Sequence, residues 1–593
     1  MKLTFTKITY TIFCLLFAFA SRAAIYTAAT SGNYSSNTTW VGGIAPPANV
    51  GANSIVIGGG ITVTLDVNLV VSSTFSLVQL QSNARIESTS SHYISLTGGQ
   101  ITGDINSTID VDSVYIGNTN ISYSGSITGD KITFAGPNLP GNITIQADEY
   151  MYFTAGLTNL SSGTTIILAS GSPTPTIVMD GGSFIITGAN FNLTTPYNVL
   201  YKQPSVSIGS GAELGGSGLD EIEIAVGTGN SVNLDQDLTV NGLLKLTSGS
   251  LALNFGTYKL FMAGNSSFDP GGTGTIMGSA TSEIIITSTA TNLGTVRFTN
   301  GSEVKNLEMK AANAAAELKL GSSLRVSGIL TLQKGRINVQ GNTLTIAGGI
   351  GSISGGSASS YIVTEANGQL KQDVPASSAT IYPVGHASAY TPAVITDLKG
   401  AVIAEMSVNV QQGVKDQGST GTDMAATKPL VDATWTTSVT GTNLDYRLEL
   451  QWTAASEVNG FDRSKSFVSQ YNSKWKNEAG TAAGTNGSLY TAQKNNVTSG
   501  GTFAVLDEST LSINNIVNGG SISLYPNPAR NVLHITVNEK ATATVYSTSG
   551  QAVLTAEVDR NNNAVNISHL PAGMYFVQLL GEEINGTARF IKE

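Results

Sequence analysis

Carboxylates are the side chains in this sequence best suited to chemistry. A polysaccharide lyase or glycoside hydrolase needs paired carboxylates, or an Arg or Lys base beside a calcium-binding acid cluster. Three groups have suitable spacing: Asp148–Glu149, Asp220–Glu221 with Glu223, and Asp235 with Asp237. If Asp235 and Asp237 lie on a strand, their side chains share one face about 7 Å apart. No basic residue stands close to them in sequence, however, and solvated turn acids are the simpler reading. The four histidines, His92, His386, His534 and His569, are too scattered for a ligand set. Serine is abundant and histidine scarce, so no Ser–His–Asp arrangement is defined. The residues thus predict no catalytic centre, no metal site and no cofactor.

Strands would have to position any such site. From Ile25 to about Ala358, runs such as Ser54–Gly58, Ile61–Leu65 and Ile143–Gln146 alternate apolar with polar residues between Gly, Asn, Ser and Asp. That is the period-two pattern of half-buried strands bounded by turn formers. An internal repeat is visible. Leu238–Leu246 aligns with Leu324–Leu332, Ser248–Leu251 with Lys334–Ile337, Lys259–Gly264 with Thr343–Gly348, and Thr275–Gly278 with Ser352–Gly355. In this alignment Asp235 and Asp237 face Gly321 and Ser323. The Ala311–Ala316 run has high helix propensity, but its counterpart Gly227–Asn230 is loop-like, so the run is expected to connect strands. Such self-similarity predicts a stacked array, a parallel β-helix with about 20 to 25 residues per coil and roughly fifteen coils. A string of β-sandwiches is the alternative.

Composition agrees. Of 593 residues only 12% are charged, and 66 are Gly. Stacked strands disfavour like charges one strand spacing apart. The net charge of -10, without a Lys/Arg cluster, argues against nucleic acid as a partner. One Cys excludes a disulfide-stapled scaffold. Residues 1–23 read as a signal peptide: Lys2 and Lys7, then the apolar run Ile8–Ala20, then small residues, with cleavage near Ala23 or Ala24. The run is too short to span a bilayer, so no transmembrane segment is expected in the mature chain. Cleavage would remove Cys14, Lys2, Lys7 and Arg22 but no acid, taking the net charge from -10 to about -13.

The opening segment Ser31–Ile44, followed by Pro46–Pro47, Ile55–Ile57 and Ile61–Asp66, resembles the N-terminal end of secreted bacterial β-helix proteins. Trp40 would then shield the first coil's open edge. Near residue 359 the composition shifts, and Trp435, Trp452 and Trp475 appear. Leu444–Trp452 alternates as in a sandwich sheet with one wet face. Residues 359–508 are read as a β-sandwich that resembles a spacer domain of secreted Bacteroidota proteins. Gln411–Lys428 is expected to be a long loop. Asp112–Ser113–Val114 resembles the short O-glycosylation consensus of such proteins, which makes Ser113 a possible acceptor.

Four C-terminal motifs follow in order: Tyr525–Pro526–Asn527–Pro528, Gly550, Leu570–Pro571–Ala572–Gly573 with Tyr575, and Lys592. Residues 521–593 resemble the C-terminal sorting domain of the type IX secretion system. Pro526 and Pro528 lack backbone donors and so end any preceding sheet. Gly550 and Gly573 are expected at turns that need positive φ or close backbone approach. The resemblance implies export to the periplasm, passage through the outer membrane, and removal of the domain by a sorting protease. The cut would fall in the linker 509–520, leaving the mature chain on the cell surface or released.

The fold expected is all-β: a parallel β-helix over 24–358, a β-sandwich and a small C-terminal β-sandwich. The function expected is that of a non-catalytic, adhesin-like or structural surface protein, with glycans or other surface polymers as partners beside the secretion machinery. A carbohydrate-active β-helix enzyme is the alternative.

Overall fold

The computed structural model describes residues 23–593 apart from 90, 118–119, 140, 203–205, 254–255, 349–350, 440–442, 512–521, 538 and 582–584. The segment before Ala23 and most of the expected linker therefore lie outside the described residues. The chain is all-β, and residues 54–385 form a β-solenoid of about 14 turns.

The solenoid follows from the period-two pattern. Val63, Ile86, Ile109, Ile127, Ile145 and Ile166 occupy one parallel ladder in register on successive coils. All are essentially buried. A slip of one residue would turn the whole row to solvent, so burial fixes the register. Aromatic side chains also stack inside: Phe134 on Phe153 at 5.2 Å and Phe153 on Phe184 at 4.5 Å between ring centroids. At the N-terminal end, Trp40 packs edge-on against Tyr34 at 5.5 Å, and its indole N–H donates to the Tyr34 carbonyl at 2.8 Å.

Charges on the outer rows are arranged by the same stacking. Several occur as opposite pairs on adjacent coils: Lys245 with Glu223 at 3.1 Å, Lys259 with Glu283 at 3.0 Å and Arg325 with Glu303 at 3.4 Å. Their basic partners are open to solvent, which screens the attraction, so these pairs set register more than they add stability.

The sequence repeat differs from the structural one. Leu238–Val240 stacks with Lys259–Met262, Glu283–Ile286, Asn306–Lys310 and Ile329–Lys334. Its sequence counterpart Leu324–Val326 stacks instead with Glu303–Val304 and Thr343–Ile346, on another face. The two copies are displaced by a non-whole number of coils. Ala311–Ala316 connects Asn306–Lys310 to Glu317–Leu320, with Ala311 N–H donating to the Lys334 carbonyl at 3.0 Å.

The pairing sense changes at Gln369–Val374. This strand pairs parallel with Thr343–Ile346 and antiparallel with Ile403–Gln412. Beyond it, Ala379–Tyr382, Ala393–Asp397, Tyr446–Trp452 and Leu489–Val497 form a second antiparallel sheet. Tyr382, Trp435, Tyr446 and Trp452 are fully buried. The segment expected to be a long loop is more ordered than its composition suggests. Ile403–Gln412 runs two residues into it, and Lys415–Gln417 pairs with Thr420–Asp423 across Gly418, whose φ is +78°. A Lys415–Asp423 ion pair at 3.1 Å and the Asp423 side chain capping Ala425 N–H replace the missing apolar contacts.

The chain forms two compact units. One comprises residues up to Val414 with Asp432–Ser456 and Thr485–Ala504; the other comprises Lys415–Val431, Glu457–Gly484 and Val505–Glu593.

Candidate functional site

The four C-terminal motifs lie in a small two-sheet sandwich. Ser523–Tyr525, Val532–Thr536 and Ala564–Asn566 form one sheet. Ala552–Val558, Ala541–Ser547, Gly573–Gly581 and Asn585–Lys592 form the other. Leu533, Ile535, Val545, Val577, Leu579 and Phe590 fill the core between them. Tyr525 ends the first strand, half-exposed and stacked on His534 at 5.1 Å.

The first and last motifs meet. Pro526 and Pro528 cannot donate from the backbone, and the Asn527 side chain bonds the last strand instead. Its Oδ1 accepts from Ile591 N–H at 2.9 Å, and its Nδ2 donates to the Arg589 carbonyl at 3.3 Å. Ala529 continues the contact by donating to the Ile591 carbonyl and accepting from Glu593 N–H. Lys592 is buried opposite Gly573, and its amine donates to the Glu593 carbonyl. Tyr575 stands opposite Phe590 at 5.6 Å, with its hydroxyl on the Pro571 carbonyl at 2.9 Å, and Leu570 is buried. The motifs that are far apart in sequence thus close one structure. An Asn between two prolines hinted at a side chain doing backbone work, but its partner strand was not legible.

The two motif glycines differ. Gly550 has φ +79° in the Ser547–Gln551 turn. Gly573 corrects the expectation: it begins an extended strand outside the left-handed region, and an added Cβ would meet only Tyr575 Cε2 at 4.0 Å. Gly550→Ala should therefore destabilise this domain by about 1 kcal/mol. Gly573→Ala should be neutral or stabilising by about 0.5 kcal/mol. Chemical denaturation of the two variants checks this, and equal losses would contradict it.

Two of the three acidic groups singled out by spacing do not converge. Glu223 is neutralised by Lys245 and accepts from the Thr247 hydroxyl at 2.7 Å. Asp220 and Glu221 occupy the same strand, Leu219–Ala225, with Glu221 exposed. Asp235 and Asp237 flank a bend rather than share a strand face, because the strands here end at Asn233 and restart at Leu238. Asp235 Oδ1 accepts from the Ser210 hydroxyl at 2.8 Å, and Asp237 from Lys259 N–H at 2.9 Å. Ser113, half-buried in Ser113–Ile116, donates to Asp112 at 2.9 Å.

The third group, Asp148–Glu149, does meet other acids. Asp112, Asp130 and Asp148 occupy successive coils beside a register shift and line a cavity of about 260 Å³ with Ser88, Thr89 and Asp110. Desolvation, then Asp112, Glu149 and Asp148, hold the Asp130 carboxyl above its usual range. Among the described residues, no group of three or more His, Cys, Asp or Glu is arranged to hold a metal ion.

Glu213 is a carboxylate that spacing did not flag. It is buried in the turn Ala212–Leu214, where its Oε1 accepts from the Tyr201 hydroxyl at 2.5 Å and from Gly211 N–H at 2.8 Å. Burial raises its pKa above the usual 4.5, against the hydrogen bonds that lower it. The folded chain then holds a proton that the unfolded chain releases. The stability is complete below the unfolded pKa and falls as pH rises through the folded one. Glu213→Gln keeps the acceptor and removes the ionisation. Its melting temperature should gain on wild type as pH rises from 4.5 to 8, and a gap that shrinks with pH would contradict this reading.

These features define a β-solenoid chain ending in a compact sandwich closed by its own terminal residues. Residues 523–593 match the family model of the secretion system C-terminal sorting domain. No curated protein and no solved structure matches the chain. A sorting domain of this kind implies interaction with the type IX machinery and export to the cell surface or the extracellular space. No helix among the described residues is long and apolar enough to cross a membrane.

Proposed function

We propose that this chain is a non-catalytic, adhesin-like or structural surface protein whose solenoid contacts glycans. The observation that carries the reading is the solenoid's outer surface, joined to a sorting tail. Its rows are rich in Ser, Thr, Asn and Tyr, and several of its charges are paired between adjacent coils. In this reading, residues 1–23 are a signal peptide cut near Ala23 or Ala24. Residues 24–358 are the binding array and 359–508 a spacer. The tail 521–593 is removed within 509–520, and Ser113 is a glycan acceptor. The adhesin predicts retention on immobilised glycans without release of reducing ends or unsaturated sugars. Release of either product would overturn it.

One observation favours the enzyme alternative. Asp130, its carboxyl raised by desolvation and then by neighbouring acids in the cavity it lines, is the kind of group that serves as a general acid. Under that reading Asp130→Asn abolishes depolymerisation in the same assay.

A further inference from the structure

The outward rows of the solenoid are not uniform. Two of them carry a concentration of aromatic side chains near the acidic stack. In one row Tyr93, Ser113, Lys131, Tyr150 and Thr176 are in register on five successive coils. In the row two residues further along, Ser95, Tyr115, Thr133, Tyr152 and Val178 are in register on the same coils. The intervening residues Ile94, Val114, Ile132, Met151 and Ile177 are buried, so both rows face outward, except that Val178 at the end of the second row is itself covered. Tyr93 is 39% exposed, Tyr115, Tyr150 and Tyr152 are half-exposed, and the rings of Tyr150 and Tyr152 lie 5.8 Å apart.

Tyr115 and Tyr152 are two coils apart, with the short side chain of Thr133 between them. Their attachment points are therefore about 9.5 Å apart. Two stacking contacts of about 4 Å each fit that span with one flat ring between them. The cavity there is about 420 Å³, and Ser95, Ser113, Thr133 and Lys131 line it beside the tyrosines. Lys131 is exposed and makes no ion pair among the described residues. Hydroxyls and one ammonium beside rigid amphipathic rings suit a ligand that is apolar on its faces and polar at its rim.

Charge selects within that class. Asp112 precedes Ser113, Asp130 precedes Lys131, and Asp148–Glu149 precede Tyr150. Asp112, Asp130 and Asp148 line a second cavity next to this one along the chain, whereas the tyrosine cavity itself holds a single charge, Lys131. Those acids would repel a polyanion but not an uncharged sugar.

We infer that the slot between Tyr115 and Tyr152 binds a pyranose of an uncharged glycan, stacked on the tyrosines, with Lys131 and Thr133 at its hydroxyls. The inference rests on the adhesin reading above and names its site and ligand class.

The test is calorimetry of the full chain with a soluble β-glucan, a mannan and polygalacturonate. Tyr115→Ala and Tyr152→Ala are measured singly, beside Tyr115→Phe and Tyr152→Phe, which keep the rings. Wild type is expected to bind one of the neutral polymers. Each Ala substitution should weaken binding about tenfold, the worth of one stacking contact, while each Phe variant retains most of it. Should an Ala variant fail to fold, the other Ala variant carries the result. Unchanged binding by the Ala variants, or binding to polygalacturonate alone, would overturn the slot and leave the glycan reading standing. Wild type that binds none of the three would overturn both.

Discussion

Deleting residues 523–593 should trap the chain in the periplasm and reduce its surface signal to background. The tail forms a sandwich with a buried core of its own, including Leu533, Val577 and Phe590. Its motifs are not loose recognition tags. Asn527 is bonded to the last strand, Lys592 lies opposite Gly573, and Ala529 bonds both Ile591 and Glu593. Any receptor therefore reads a folded surface assembled from both ends of the tail. Trimming only the last residues should consequently resemble the full deletion, because Asn527 and Ala529 lose their partners. Fractionation of cells expressing each form checks this, and normal surface display of the truncated chain would contradict it.

The largest stability effect is expected at Phe153. Its ring is fully buried and stacks on Phe134 and Phe184 in the solenoid interior. Phe153→Ala leaves a cavity lined by rings that cannot collapse without moving two coils, at a cost of about 3–5 kcal/mol. A whole domain has only about 5–15 kcal/mol of net stability. Coils depend chiefly on their neighbours, so the damage should concentrate around the substitution rather than spread evenly. Limited proteolysis should show new cleavage near residues 134–191, with a lower denaturation midpoint. A loss below about 1 kcal/mol would contradict the packing described.

The fold was legible where burial enforces a period. Ser54–Ile57 and Thr62–Leu65 alternate because one face of each strand is core, and the alternation alone names them as strands. Distances across coils were not legible. Ser54 pairs with Leu77, a step of 23 residues, whereas Ser113 pairs with Lys131, a step of 18. Turn length varies, so register cannot be counted along the chain. Asp112, Asp130 and Asp148 recur every 18 residues, but the sequence does not say that the coils are 18 residues long here rather than 23, so the period could not be read as a stack. The same variation explains why sequence copies such as Leu238–Val240 and Leu324–Val326 fall on different faces. The sorting motifs were legible as residue types, since prolines and glycines act on their own backbone. What Asn527 touches depends on a strand more than sixty residues away.

The central claim is that the C-terminal sandwich delivers the solenoid to the outside of the cell. Its most direct test is transfer: residues 509–593 fused to a reporter that otherwise remains in the periplasm, followed by antibody labelling of intact cells. The account predicts that the reporter is labelled on intact cells, or recovered from the medium, with the tail removed. A folded fusion that stays intact in the periplasm of cells exporting their own type IX cargo would contradict it.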